Sequence, residues 1–181
     1  ILSTYFKSSL IKNYYKKGKS HNIKIRYIRE KQPLGTAGSL SLLRHEIKEK
    51  YFILTNCDVI SDINYKNLLD FHIKNKADLT IAVKKFTSAN LYGEMNLKGI
   101  NVNRIIEKPK KDMIINTAIY VLNTKCIKYL NYNKRIDMND FIMKLVNKNK
   151  KVIAFPFFEN WHDLGTKNEL REFNKFKSII I

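Results

Sequence analysis

In the first half of the chain, apolar residues recur with two periods, one typical of helices and one typical of strands. Residues 3–18 carry apolar side chains at helical spacing, and Gly18 is placed to end that helix. Residues 51–55 are almost wholly apolar, as in strands buried on both faces of a parallel sheet. The same criteria predict further helices over 40–47 and 65–73 and further strands over 23–28 and 79–83. Strands that alternate with helices through short connections predict a doubly wound α/β sheet.

Beyond residue 90 the rhythm changes, because strand patterns follow one another without long helices between them. The pattern predicts strands over 92–97, 102–106 and 114–122, then a helix over 138–149, a strand over 152–155 and a helix over 167–177. This half is therefore expected to be mixed or antiparallel. No repeat, linker or step in composition divides the sequence, so we predict one domain over residues 1–181.

The segment Gln32–Leu40 places a proline, two glycines and a threonine between a predicted strand and a predicted helix. Because glycine has no side chain, we expect a flat ligand to lie against bare backbone there. The strand over 51–55 is followed by Asp58. A ligand loop and a carboxylate at strand carboxyl ends together indicate a nucleotide site on an open α/β sheet.

The formal net charge of +18 invites a nucleic-acid interpretation. The cations are 28 lysines and only 6 arginines, however, and they are spread along the whole chain. We therefore favour a solvated basic surface that attracts anionic substrates, and nucleic-acid binding stays as an alternative that salt-sensitive binding would support. Cys57 and Cys126 have no metal-ligand spacing, so we expect free thiols in a reducing, cytoplasmic compartment. No apolar run is long enough to span a membrane.

Two carboxylates stand out as candidate ligands for Mg²⁺, which usually takes one or two protein carboxylates together with substrate phosphates. Asp58 follows the buried strand, and Asp163 lies in a turn rich in Gly and Thr. The alternative for each is local, since Asp also shapes turns and caps helices.

Glu107, Lys108 and Asn116 are candidates for contacts with a sugar phosphate. Glu107 could accept hydrogen bonds from hydroxyl groups, and Lys108 could neutralise a phosphate as a point charge. A surface ion pair between the two is the simpler explanation. We expect Asn116 to be buried in an apolar strand, where substrate hydroxyls would satisfy its hydrogen bonds.

Six motifs in this order and spacing closely resemble the sugar-1-phosphate nucleotidyltransferases, over about residues 1–175. They are Gln32-Pro33-Leu34-Gly35-Thr36-Ala37-Gly38, Asn56-Cys57-Asp58, Tyr92-Gly93, Glu107-Lys108-Pro109, Asn116-Thr117-Ala118-Ile119-Tyr120 and Trp161-His162-Asp163-Leu164-Gly165-Thr166. Within that family the chain is most similar to the mannose-1-phosphate guanylyltransferase-like branch, whose members are often linked to CBS domains. The resemblance implies a Rossmann-like doubly wound mixed sheet of the nucleotide-diphospho-sugar transferase type.

The resemblance also implies roles for particular residues. The nucleotide would be bound by Gln32, Leu34, Gly35, Thr36 and Ala37, with Gln32 and Gly35 at the base. Asp58 and Asp163 would hold Mg²⁺, Gly93, Glu107 and Asn116 would line the sugar pocket, and Lys108 would meet the sugar phosphate. The substrates would be a nucleoside triphosphate and a hexose 1-phosphate, with neither nucleic acid nor a membrane as a partner. A homo-oligomer is left open.

The chain departs from the family pattern in three ways. The first strand of the family and its phosphate-binding loop have no counterpart before Ile1, so we expect residues 1–181 alone to be inactive. Cys57 and Ala118 stand where the family usually has glycine, and the methyl group of Ala118 is expected to crowd the sugar. The resemblance implies that the products are a nucleotide-sugar, expected to be a GDP-sugar, and pyrophosphate. Alternatives are uridylyl or thymidylyl specificity, and a non-catalytic scaffold similar to subunits of an exchange factor. Retention of both Asp58 and Asp163 argues against the scaffold.

Overall fold

The computed structural model describes the backbone of residues 1–180 and the side chains of residues 1–175. The α-helices are α1 (Ser8–Tyr15), α2 (Gly35–Gly38), α3 (Tyr65–Lys74), α4 (Met138–Asn147) and α5 (Lys167–Ile180). The strands are β1 (Leu2–Thr4), β2 (Tyr27–Arg29), β3 (Tyr51–Thr55), β4 (Val59–Ser61), β5 (Leu79–Ala89), β6 (Glu94–Lys98), β7 (Asn101–Ile106), β8 (Lys110–Asn123), β9 (Val152–Pro156) and β10 (Trp161–Asp163). Short 3₁₀ helices cover Lys19–His21, Ser39–Leu43 and Thr124–Tyr129.

One mixed sheet has four strands in the order β3-β8-β5-β9. Strands β1 and β2 pair in parallel, whereas β4 pairs with β10 and β6 with β7 in antiparallel fashion. The chain groups into two compact units, each built from three segments. Unit 1 comprises 1–54, 72–80 and 121–153, and unit 2 comprises 55–71, 81–120 and 154–181.

Unit 1 contains most of the large buried side chains. Helix α4 shows why, because its buried residues follow the spacing of one helical face. These residues are Met138, Phe141, Ile142 and Leu145. They belong to a core with Leu34, Leu40, Leu79, Leu122, Ile127 and Leu130, all at most 2% exposed. Each such side chain contributes about 1.5–3 kcal/mol by burial.

Unit 2 has a smaller core and a solvent-exposed hairpin. Its buried apolar residues include Leu68, Ile119 and Phe157. Every residue of β6 and β7 is exposed. Site residues in unit 2 are therefore held mainly by backbone pairing and short hydrogen bonds rather than by deep burial.

The first twenty residues differ from the sequence prediction of a single helix over 3–18. Leu2–Thr4 pairs with Tyr27–Arg29, and Lys7 takes a left-handed backbone conformation before α1 begins. Hydrogen bonds from Leu2 N–H to the Arg26 carbonyl (2.8 Å) and from Glu30 N–H to the Thr4 carbonyl (2.9 Å) extend the pairing. Pairing with a distant segment thus replaces the local helical preference. The helix predicted over 40–47 is likewise only a 3₁₀ turn, Ser39–Leu43.

Candidate active site

The predicted nucleotide loop Gln32–Leu40 lies in unit 1, and most of it is helical, because Gly35–Gly38 forms α2 and a 3₁₀ helix begins at Ser39. The side chains of Leu34 and Ala37 are fully buried, whereas Gln32 and Thr36 are exposed. The Leu34 N–H donates to Glu30 Oε2 at 3.0 Å, and Gly35 has φ +72°. The side chains of this loop therefore divide between the core and the solvent.

The two glycines of the loop face another segment of unit 1. A Cβ added to Gly35 would lie 2.5 Å from Asp137 Oδ1, and one added to Gly38 would lie 2.6 Å from the Lys134 carbonyl oxygen. Neither distance is compatible with a side chain. The space that a Cβ would need at either glycine is thus filled by the protein itself, so packing within unit 1 requires glycine there. A nucleotide bound at the other faces of the loop stays a prediction.

The backbone donors of the loop also have protein acceptors. Thr36 N–H donates to Asp137 Oδ1 at 3.2 Å, and the N–H groups of Ala37 and Gly38 donate to the Ile136 carbonyl at 3.1 and 3.2 Å. In return, the Met138 N–H at the start of α4 donates to Thr36 Oγ1 at 2.7 Å. A ligand would therefore meet the exposed side of this loop, where Gln32 and Thr36 lie.

Unit 2 brings the two candidate metal carboxylates together. Strand β10 pairs with β4 so that Asp163 lies opposite Val59, and the Leu164 N–H donates to the Asp58 carbonyl at 2.8 Å. A Cβ added to Gly165 would lie 3.1 Å from Asp163 Oδ1 and 3.4 Å from Asp58 Oδ2. Oxygens from both carboxylates therefore border the same small volume above Gly165.

Both carboxylates are exposed, and within the described residues neither forms an ion pair. Asp163 Oδ1 accepts one hydrogen bond, from the Gly165 N–H at 3.0 Å. No cluster of three or more His, Cys, Asp or Glu suited to a metal occurs in the described part of the chain. Two convergent carboxylates fit Mg²⁺, which completes its coordination with substrate phosphates and water.

A second group of site residues lies within strand β8, at a local backbone irregularity around Ala118 that is here called the turn of β8. Ala118 has φ +58°, its N–H donates to Asn116 Oδ1 at 3.1 Å, and its carbonyl accepts from the Asn56 N–H at 3.2 Å. Asn116 is exposed, so the expectation of a buried asparagine was wrong. The apolar residues around Asn116 suggested burial, but the buried positions of β8 begin only at Thr117. Burial raises the pKa of Tyr120, against the effect of a hydrogen bond with Asn116.

Trp161 holds this turn and was not singled out by the sequence analysis. Its indole Nε1–H donates to the Thr117 carbonyl at 3.0 Å, and the buried Thr117 Oγ1 donates to the Ala82 carbonyl at 2.7 Å. The sequence did offer a signal for Trp161, because it is the only tryptophan in the sequence and lies two residues before Asp163.

The remaining sugar-site candidates lie at the open ends of the β6–β7 hairpin. A Cβ added to Gly93 would lie 3.2 Å from Glu107 Oε2, so these two residues are neighbours. Lys108 follows with φ +44°. Among the described residues, neither Glu107 nor Lys108 takes part in an ion pair. A surface ion pair therefore does not explain why these two charged residues stand next to each other.

A cavity of about 430 Å³ lies beside the same hairpin. Its lining includes Tyr92, Met113 and the ion pair of Glu94 with Lys111 (3.1 Å). None of the predicted site residues lines it. The convergent carboxylates, and not this cavity, therefore locate the candidate site.

The two cysteines differ in their surroundings, and both are free thiols as expected. Cys57, next to Asp58, is exposed. Cys126 is buried and donates to the Asp78 carbonyl, and burial, with a smaller contribution from Asp78, raises its pKa to about 12. Among the described residues, no helix has the length and apolar character needed to cross a bilayer.

Comparison with known proteins shows which proteins the chain resembles. A family model described as nucleotidyl transferase matches residues 1–178. The glucose-1-phosphate adenylyltransferase of Clostridium acetobutylicum is 35% identical over 155 residues, which are 77% of this chain and 41% of that protein. The D-glycero-alpha-D-manno-heptose 1-phosphate guanylyltransferase of Aneurinibacillus thermoaerophilus is 26% identical over 176 residues, or 97% of this chain and 76% of that protein.

A solved structure has a similar fold. The crystal structure of HddC from Yersinia pseudotuberculosis complexed with GMP-PN gives a TM-score of 0.68 at 25% identity, and the match covers 94% of this chain and 75% of that one. The chain spans less than half the length of the Clostridium acetobutylicum protein and about three quarters of the other two.

Proposed function

Because the chain belongs to the nucleotidyl transferase family, we propose that the protein containing it transfers a nucleotidyl group from a nucleoside triphosphate to a sugar 1-phosphate. An oxygen of the sugar phosphate attacks the α-phosphorus, the bond from that phosphorus to the bridging oxygen breaks, and pyrophosphate leaves. The convergence of Asp58 and Asp163 near Gly165 is the observation that carries this proposal.

The described residues supply what such a transfer needs, which is positioning and charge neutralisation rather than a side-chain nucleophile. Asp58 and Asp163 would hold Mg²⁺, which when bound would neutralise charge on the reacting phosphates. Lys108 would place a positive charge at the sugar phosphate. Glu107 beside Gly93, and Asn116, would accept and donate hydrogen bonds to the sugar hydroxyls.

For the base we propose guanine, read by Gln32 and the backbone at Gly35. The match to a guanylyltransferase extends over 97% of the chain, against 77% for the adenylyltransferase, although identity is higher with the latter. Adenylyl transfer is therefore the main competitor, followed by uridylyl and thymidylyl transfer.

Pyrophosphate release from the protein that contains this chain tests the proposal. GTP, ATP, UTP and dTTP would each be combined with glucose 1-phosphate, mannose 1-phosphate and D-glycero-α-D-manno-heptose 1-phosphate, with Mg²⁺ and with EDTA. We expect pyrophosphate release to be greatest with GTP, far lower with the other three nucleotides, and absent with EDTA. The absence of release with every pair would overturn the proposed activity, and release that persists in EDTA would overturn the metal assignment.

A further inference from the structure

Trp161 connects the strand that carries Asp163 to the turn of β8. Side chains two residues apart on a strand lie on the same face, so Trp161 and Asp163 share one face of β10. From that face the Trp161 indole reaches the Thr117 carbonyl at 3.0 Å. The carboxylate strand and the turn that contains Asn116 are thus joined by a single side chain.

The turn needs such support because its backbone is strained. Ala118 has φ +58°, a conformation that costs a residue with a Cβ roughly 1–2 kcal/mol. Strained conformations persist only where neighbouring groups fix them. Here the Asn116 carboxamide holds the Ala118 N–H, the Asn56 N–H holds the Ala118 carbonyl, and Trp161 holds the preceding carbonyl.

Backbone hydrogen bonds also connect the turn to Asp58, the other candidate metal ligand. Asn56 lies two residues before Asp58, and the Asp58 carbonyl accepts from the Leu164 N–H beside Asp163. Backbone bonds from Asn56 and Leu164 thus connect both carboxylates to the elements that Trp161 joins. Loss of the indole donor should therefore destabilise the turn more than the carboxylates, because the turn is bonded to the indole directly through the Thr117 carbonyl.

We propose that Trp161 is a positioning residue that keeps Asn116 in place relative to the two carboxylates. The inference rests on the proposed function, because it assigns the sugar to the side of the site where Asn116 lies. Trp161 does not need to touch either substrate for this role. The group that acts in this role is the indole N–H, which donates to the Thr117 carbonyl.

The variant Trp161→Phe removes the indole donor and keeps an aromatic ring. We expect the KM for the sugar 1-phosphate to rise about tenfold, the effect of losing one hydrogen bond, while the KM for the nucleotide changes by less than about twofold. Amide hydrogen exchange should also become faster at Asn56 and Ala118. That second measurement does not require turnover.

Thr87→Val is the matched control, because it removes a hydroxyl that bonds Asp112 Oδ1 at 2.6 Å in the same unit and leaves every bond of the turn in place. We expect it to lower Tm without changing the KM for the sugar 1-phosphate. Unchanged exchange at Asn56 and Ala118 in Trp161→Phe would overturn the proposal, and so would equal increases in both KM values or a lower Tm alone. An unaltered protein that releases no pyrophosphate overturns the proposed function instead, together with the reaction that Trp161 would serve.

Discussion

The loop Gln32–Leu40 and the carboxylate turn around Asp58 and Asp163 carry the two most informative sequence motifs, yet their polar groups are used differently. In the loop, the N–H groups of Leu34, Thr36, Ala37 and Gly38 all donate to protein acceptors. At the carboxylate turn, Asp58 and Asp163 are exposed and form no ion pair among the described residues.

The difference shows that a glycine-rich motif and an acidic motif are not equally strong evidence for a ligand site. The glycines of the loop fit against Lys134–Asp137, so their occurrence is explained by packing even without a ligand. The two carboxylates converge, and no ion pair among the described residues accounts for their position, so we expect their role to be binding rather than packing. Substitutions in the loop should therefore affect stability, and those at the turn should affect turnover.

The largest effect is expected from Asp58→Asn and Asp163→Asn, made one at a time. Each keeps the size of the side chain and removes the charge that would hold Mg²⁺, so turnover should fall by about 10³-fold. Because both side chains are exposed, Tm should hardly change. Pyrophosphate release at saturating substrate measures the first effect and thermal unfolding the second.

Asp70→Asn is the control for those two variants, since Asp70 is also exposed and forms only a helix-surface pair with Lys66 at 2.8 Å. It should leave turnover unchanged. Full activity in both site variants would contradict the contrast between the two regions and would overturn the proposal that Asp58 and Asp163 hold the metal.

The second prediction compares Gly35→Ala with Gly99→Ala. Both glycines have positive φ, +72° and +64°, but a Cβ at Gly35 would meet Asp137 Oδ1 and the Ile136 carbonyl, whereas one at Gly99 would have nothing within 4 Å. We expect a loss of unfolding free energy of about 1 kcal/mol at Gly99 and about 3 kcal/mol at Gly35. Chemical denaturation measures both, and equal losses would show that packing against Asp137 does not matter.

A third prediction concerns the pH dependence of the unfolding free energy and rests on a buried histidine in unit 1. His72 is fully buried in unit 1 with Nδ1 2.8 Å from Thr80 Oγ1, and burial lowers its pKa, partly offset by Asp78. The unfolded chain therefore binds a proton at higher pH than the folded chain. Stability is complete above the unfolded pKa of about 6.5 and falls as the pH drops towards the folded value, by no more than about 1.4 kcal/mol per pH unit.

Unfolding free energies measured from pH 8 to pH 5 in the His72→Asn variant test this assignment. Asparagine can keep the bond to Thr80 and cannot be protonated, so the acid-side slope should decrease. His45→Asn replaces an exposed histidine and should keep the slope of the unaltered chain. A slope that survives in His72→Asn would assign it to other groups.

The smallest effect is expected from Ala118→Gly in unit 2, because glycine adopts the positive φ of this position without strain. The gain from removing strain is partly cancelled by the greater backbone entropy of glycine in the unfolded chain, so stability should rise by about 0.5 kcal/mol. Ala89→Gly, at an exposed strand position without a positive φ, should lower stability by a similar amount. Opposite signs in thermal unfolding would support the strain, and a loss at both positions would refute it.

Much of the fold follows from local sequence patterns. The helical spacing over 138–149 corresponds to α4, and the apolar run over 51–55 corresponds to β3. The α/β fold of the nucleotide-diphospho-sugar transferase type is confirmed by the solved structure of HddC. These features could be predicted because burial of one helix face, or of a whole strand, leaves a periodic record in the sequence.

Other features could not be predicted because they depend on distant partners. Leu2–Thr4 is a strand only because Tyr27–Arg29 lies beside it. The need for glycine at position 38 arises from Lys134, nearly a hundred residues away. Asn116 is exposed because burial in β8 begins only at Thr117, and nothing in the apolar run around Asn116 indicates that boundary. The roles of the site residues stay predictions.

The contrast between the two cysteines has a practical consequence for labelling chemistry. A thiolate is the form that reacts with maleimides, and Cys126 is kept as a buried thiol by a pKa of about 12. Cys57 is exposed and directly precedes Asp58. A single spin label or fluorophore can therefore be attached one residue from the carboxylate pair in the unaltered sequence, where it would report the arrival of a paramagnetic cation such as Mn²⁺.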